Sequence, residues 1–163
     1  MRNINKRSHL FEREYNSALK FLSYRPRSEQ EIREKLKSKK APEEIIEKII
    51  SKLKEHKFLD DAEFTRWWIE SRTNFKPRSM RLIKIELKGK GIADDIIDEI
   101  FNFQFSIFNE TEMAKKLIRK KIKKYQTLPK LEIYQKLGRF LASKGFNWET
   151  IKQSIDEVLE NGV

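Results

Sequence analysis

The feature that most constrains this chain is that it repeats itself. Pro26-Arg27-Ser28 recurs as Pro77-Arg78-Ser79, a shift of 51 residues. The same shift carries Leu36-Lys37-Ser38-Lys39-Lys40 onto Leu87-Lys88-Gly89-Lys90-Gly91, and Glu43-Glu44-Ile45-Ile46 onto Asp94-Asp95-Ile96-Ile97. A third copy lies 54 residues further on, with Leu141-Ala142-Ser143-Lys144-Gly145 and Trp148-Glu149-Thr150-Ile151. Self-similarity at a period of about 50 residues marks tandem supersecondary units, each too small to bury a full core alone.

Each copy reads as helices. Leu10, Phe11, Tyr15, Ala18, Leu19 and Leu22 keep helical spacing, followed by Ile32 and Leu36 and then by Ile46, Ile49, Ile50 and Leu53. Ser28 with Glu31 and Asp60 with Glu63 read as capping boxes, and Asn109 with Glu112 is a variant. All four prolines fall between helices or in their first turns, where a missing N–H costs little. Gly91 and Gly145 stand where helix C-termini need a left-handed residue, and Lys40 at that place in the first copy predicts a different or strained turn. The expected fold is all-α: three tandem three-helix repeats, about nine helices, forming an elongated, curved array. The expected spans are a flexible N-terminal segment 1–9 and repeats at 10–57, 60–105 and 109–161. Phe101 to Phe105 alternates with period two, as a strand would. With no partner strand in view, a helix end followed by a buried linker is the preferred reading of 100–108.

Composition removes several classes of function. With no cysteine there is no disulfide framework, thiol nucleophile or thiolate metal site. No apolar run approaches the ~20 residues that span a bilayer, and no apolar core follows the basic start, so a cytoplasmic protein without a membrane partner is expected. His9 and His56 are the two histidines, and neither has a catalytic or metal-binding setting. Asp60 as a helix cap and Asp61 at the positive end of the same helix account for that acidic pair. No phosphate loop, Ser–His pairing or metal-ligand spacing occurs. The chain is therefore not expected to be an enzyme, and no catalytic residue, cofactor or metal is assigned.

The charge is more informative. The chain carries 36 Lys+Arg against 25 Asp+Glu, a net +11. From Met113 to Arg139 there are ten basic residues and one acid, Glu132, so +9 of the total lies there. Lys115, Lys116, Arg119, Lys120, Lys121, Lys123 and Lys124 follow one another without an acid, opposite an apolar face of Ala114, Leu117, Ile118, Ile122 and Tyr125. Solvated helix faces usually interleave acids, so this band, continued by Lys130, predicts contact with a polyanion. A second set repeats with the architecture: Arg25 and Arg27 flank Pro26, and Lys76 and Arg78 flank Pro77. Each pair precedes a helix N-terminus, where backbone N–H groups already favour anions. A DNA phosphate and an acidic protein side chain look alike to such a site. Trp67 and Trp68, with Phe64 one turn earlier, read first as core, while the more exposed indole would stack on a base or anchor a partner. Trp148 reads as a packing residue.

Three stretches carry a resemblance: Ala18-Leu19-Lys20-Phe21-Leu22-Ser23-Tyr24-Arg25-Pro26-Arg27-Ser28-Glu29-Gln30-Glu31-Ile32-Arg33-Glu34-Lys35-Leu36, Phe58-Leu59-Asp60-Asp61-Ala62-Glu63-Phe64-Thr65-Arg66-Trp67-Trp68-Ile69-Glu70-Ser71-Arg72, and Glu86-Leu87-Lys88-Gly89-Lys90-Gly91-Ile92. Together they resemble the RecX family of recombination regulators, and the likeness runs over roughly residues 14–160. Thr65 stands where the family usually has alanine, Lys40 where glycine is common, and Lys76-Pro77 in a stretch that often carries glycine. The resemblance implies a non-enzymatic monomer of tandem three-helix repeats. It implies binding to the RecA filament on single-stranded DNA, with suppression of ATP hydrolysis, strand exchange and filament extension. Arg72, inside the second stretch, joins the basic contact candidates. The alternative is a helical DNA-binding protein acting through its basic third repeat.

Overall fold

The structure, a computed structural model, describes residues 2–104 and 109–160, with side chains from Arg7 to Phe103 and from Asn109 to Glu160. Among these residues the chain forms α1 (Arg2–Tyr24), α2 (Glu29–Ser38), α3 (Glu43–Glu55), α4 (Asp61–Asn74), α5 (Met80–Gly89), α6 (Asp94–Gln104), α7 (Glu110–Ile122), α8 (Lys130–Ser143) and α9 (Trp148–Glu160), with no strand. The all-α, three-repeat fold expected from the internal similarity is the fold observed. Helix α1 starts earlier than the apolar spacing predicted: residues 2–9, read as a flexible segment, continue the helix, and no glycine or proline there interrupts it. The period-two stretch is helical as far as Gln104, and within it Phe101 is buried while Phe103 is exposed. Residues 105–108 of the expected linker lie outside the described residues.

The chain divides into two compact units. One comprises residues up to Trp67 together with Leu87–Ile100, and the other comprises Trp68–Glu86 together with the chain from Phe101 onward. In the first, α1, α2 and α3 enclose Ala18, Ile32, Leu36, Ile46, Ile49 and Leu53, none of them accessible to water. In the second, α7 packs on α8 and α9 around Ala114, Ile118, Leu137, Leu141 and Ile155. The second repeat is shared between the two units, and that division follows from how the repeats join.

Each join uses the same parts. In the first unit the Ser28 hydroxyl donates to the Lys90 carbonyl at 2.7 Å, and the Glu29 amide donates to Asp61 Oδ1 at 2.8 Å. In the second unit the Ser79 amide donates to the Lys144 carbonyl at 2.9 Å, and the Met80 amide donates to Glu110 Oε1 at 2.7 Å. Ser79 and Met80 are Ser28 and Glu29 displaced by 51 residues. The N-terminus of one repeat's second helix is thus neutralised by a carboxylate at the start of the next repeat, where four orphan N–H groups and the macrodipole favour it. Ser28 and Ser79 are almost completely buried.

The receiving turn also recurs. Ala41, Ile92 and Phe146 amides close back on Leu36, Leu87 and Leu141, the 6→1 bond of a Schellman turn. The intervening residues are left-handed: Lys40 at φ 59°, Gly91 at 75° and Gly145 at 87°. The turn at Lys40 is therefore the same turn as its counterparts, held at a cost of about 1–2 kcal/mol for a residue with a Cβ. The glycines are needed for space as well. A Cβ on Gly91 would lie 1.9 Å from Gln30 Oε1, and one on Gly145 would lie 2.6 Å from Ser79 Oγ. Lys40 is exposed, so a side chain fits. Lys57, at φ 58°, makes a fourth such turn that neither composition nor repetition pointed to.

Candidate partner and nucleic-acid interface

The cations singled out in the sequence fall into two groups, those that meet an acid of the chain and those that do not. Ahead of α2, Arg25 forks onto Glu31, with Nη2 at 2.7 Å from Oε1 and Nη1 at 3.2 Å from Oε2. Lys90 reaches the same carboxylate at 3.0 Å, Arg27 stands 3.8 Å from it, and the Ser28 amide donates to it at 3.2 Å. The Ser28–Glu31 capping box is thereby formed as expected, and Glu31 doubles as an ionic hub. Burial pushes the Glu31 carboxyl up, but the bonds from Arg25, Lys90 and Ser28 outweigh it and hold the group below the usual carboxylate range. Arg27 also covers the Phe21 ring at 3.7 Å. Burial, with Arg25 nearby, lowers its pKa from the ordinary value, and Glu31 only partly offsets this.

The counterpart in the second unit is Glu86. Arg72 Nε donates to it at 2.6 Å, Arg78 lies 2.5 Å away, and Trp68 Nε1 donates to it at 2.9 Å. The Arg72 guanidinium stacks 4.1 Å above the Trp68 ring. Trp68 is buried, as a core indole with a satisfied N–H should be. Trp67 is half-buried, with Phe64 against one side and the Arg25 guanidinium 5.8 Å above its ring. It borders a cleft of about 1040 Å³ whose lining mixes apolar residues, Leu22, Phe58, Leu59 and Phe64, with charged ones, Arg27, Lys54, Lys57, Asp60 and Glu63. Lys76, by contrast with its neighbours, is exposed and meets no acid among the described residues.

The third repeat behaves differently. Helix α7 buries Met113, Ala114, Leu117, Ile118 and Ile122, the apolar face read from spacing, and turns its cations outward. Lys115 is the exception. It pairs with Glu112 at 2.8 Å and with Glu157, and these partners raise its pKa. Lys121 lies 4.8 Å above the Phe140 ring. Lys116, Lys120, Lys123, Lys124 and Lys130 are exposed, and no ion pair engages them among the described residues. Arg119 is exposed as well, near enough to Glu112 to help lower that carboxyl's pKa after Lys115 has done most of it. Lys123 and Lys124 sit in the turn closing α7, at the negative end of its dipole, where cations are favoured.

Two features were not legible in advance. Glu86 has no cap or repeat signature, so its role as a hub required the fold. Trp148, read as a packing residue, is 66% exposed at the start of α9, so that expectation is corrected. As the first helical residue it precedes Ile151, Ile155 and Val158, which carry the buried face, and it points away from them. Thr65, which departs from the usual alanine, is buried and satisfies its own hydroxyl by donating to the Asp61 carbonyl at 2.7 Å. Among the described residues no group of three His, Asp or Glu side chains could hold a metal ion, and no helix is long and apolar enough to cross a membrane.

Comparison with known proteins adds three family models in chain order. "RecX, first three-helix domain" matches residues 15–53, "RecX, second three-helix domain" 60–100 and "RecX, third three-helix domain" 109–155. Regulatory protein RecX of Prosthecochloris aestuarii is 36% identical over 148 residues, spanning 90% of this chain and 93% of the relative. Regulatory protein RecX of Bacillus velezensis is 35% identical over 143 residues, spanning 88% of this chain but 54% of the relative, so the chain covers about half the length of that protein. Among solved structures, RecX from Lactobacillus salivarius superposes with a TM-score of 0.75 at 26% identity, covering 92% of this chain and 97% of that one.

Proposed function

The chain belongs to the RecX family, and on that premise we propose that it is a regulatory protein that binds the RecA filament on single-stranded DNA and restrains it. It slows ATP hydrolysis, strand exchange and filament extension by occupying a surface, without catalysis, as a cytoplasmic monomer. The observation that supports this reading is the sorting of the cations. Arg25, Arg27, Arg72 and Arg78 meet Glu31 and Glu86, so the first two repeats offer a nearly neutral surface, with a cleft of mixed apolar and balanced charged lining, suited to a protein partner. Among the described residues Lys116, Lys120, Lys123, Lys124 and Lys130 meet no acid, which suits a phosphate backbone.

The test is a titration of this protein into RecA filaments assembled on single-stranded DNA. ATP hydrolysis should slow at substoichiometric ratios. Unchanged hydrolysis and unchanged filament length at saturation would sink the reading. The second reading, a helical DNA-binding protein acting through its third repeat, is favoured by the same exposed lysines. Tight binding to bare DNA with no preference for the filament would select it.

A further inference from the structure

Each of the first two repeats exposes an aromatic ring at the same place in the repeat. Tyr24, the last residue of α1, is 69% exposed, and Phe75, just past α4, is 82% exposed. They are related by the 51-residue shift, as parts of Tyr24-Arg25-Pro26-Arg27-Ser28 and Phe75-Lys76-Pro77-Arg78-Ser79. A single exposed apolar side chain needs no explanation. Two at equivalent positions, on loops otherwise fixed into the fold, do. Each loop is fixed at its far end, because Ser28 and Ser79 are buried and bonded to Lys90 and Lys144. A ring held on a pinned loop loses little conformational freedom when it is covered.

We propose that Tyr24 and Phe75 are one contact residue used twice, each ring entering a shallow apolar pocket on a subunit of a protein polymer. This rests on the filament-binding reading and names the residues through which the first two repeats grip it. The charge around the rings argues for protein over nucleobases. A ring that stacks on single-stranded DNA is normally set in a groove of free cations that holds the backbone. Here Arg25 and Arg27 are committed to Glu31 and Arg78 to Glu86, and Lys76 is the one cation of the two motifs that meets no acid among the described residues. The hydroxyl is not what is shared, since Phe75 lacks one. The common element is the ring.

The experiment uses the full chain with Tyr24→Ser, Phe75→Ser, the double variant and Tyr24→Phe. Inhibition of DNA-dependent ATP hydrolysis by RecA filaments is measured alongside affinity for bare single-stranded DNA and the unfolding midpoint. Both rings are solvent-facing, so the midpoints should match wild type. Each serine variant should need about 5–30-fold more protein for half-inhibition, the range of a 1–2 kcal/mol contact. The double variant should lose more than either single one, and Tyr24→Phe should act as wild type. Bare-DNA affinity should stay within twofold throughout. A parallel loss of bare-DNA affinity would replace the proposal with base stacking. Unchanged inhibition by the double variant would overturn it while leaving the filament reading intact, whereas a wild-type protein with no effect on the filament would overturn both.

Discussion

The arginines ahead of α2 and the lysines along α7 carry the same sign of charge, and by sequence both are candidates for an anion. Their surroundings separate them. Arg25 and Arg27 meet a carboxylate from their own repeat, and the helix N-terminus beside them is taken by Asp61 of the next repeat. Among the described residues Lys116, Lys120, Lys123 and Lys124 meet none. The two compact units differ accordingly: the first holds 19 basic and 16 acidic residues, a net +3, and the second holds 17 and 9, a net +8. A basic motif before a helix is therefore a joint between repeats as readily as a ligand site, and what distinguishes the two is whether an acid lies in reach. That acid is often distant in sequence, as Asp61 is from Glu29.

This contrast can be broken at several points. The largest effect is expected from neutralising Lys116, Lys120, Lys123 and Lys124 to glutamine together. Affinity for bare single-stranded DNA at 0.1 M salt should fall on the order of 10²–10³-fold, because each phosphate contact contributes about 0.7 to the log–log salt slope. Urea unfolding should move by no more than about 0.5 kcal/mol, since no acid loses its partner. Next comes Gly91→Ala, which places a Cβ against Gln30 in a left-handed turn. A loss of about 3 kcal/mol in chemical denaturation is expected there.

Glu31→Gln tests the paired side directly. Removing a mostly buried hub of charged hydrogen bonds should cost about 2 kcal/mol. It should also release Arg25, Arg27 and Lys90, so bare-DNA affinity should rise while stability falls. The pH dependence has a definite sign. Glu31 is held below its ordinary range in the folded state, so its contribution is present above the unfolded carboxylate pKa and is lost as pH falls through the folded one. The stability gap between wild type and Glu31→Gln should therefore close on acidification. Asp61 runs the other way, because burial raises its carboxyl pKa. The smallest effect belongs to Lys40→Gly, which should stabilise by about 0.5–1 kcal/mol by removing the strained left-handed lysine.

Much of this fold is legible in the sequence, because the signals are local. Capping at Ser28 and Asn109, left-handed turns at Gly91 and Gly145, and the apolar faces of α3 and α7 are all set within a few residues. The site is less legible. Whether Arg78 is paired depends on Glu86, two turns into α5, and the Trp68 N–H is satisfied by the same carboxylate. Lys115 looks identical to Lys116 in the sequence and differs only because Glu157, from α9, reaches it. Trp148 misled because an aromatic at a helix start can lie on either side of the buried stripe. Pairing over 40 residues is a property of packing, and composition carries no trace of it.

The cations divide into those spent inside the fold and those left for a phosphate backbone. The most direct measurement is the slope of log affinity for single-stranded DNA against log salt, for wild type and for the four-lysine glutamine variant. The account predicts that the slope becomes shallower by about 3 in the variant, four contacts at roughly 0.7 each. Equal slopes would contradict it, because the exposed lysines of α7 and its closing turn would then not be where DNA is held.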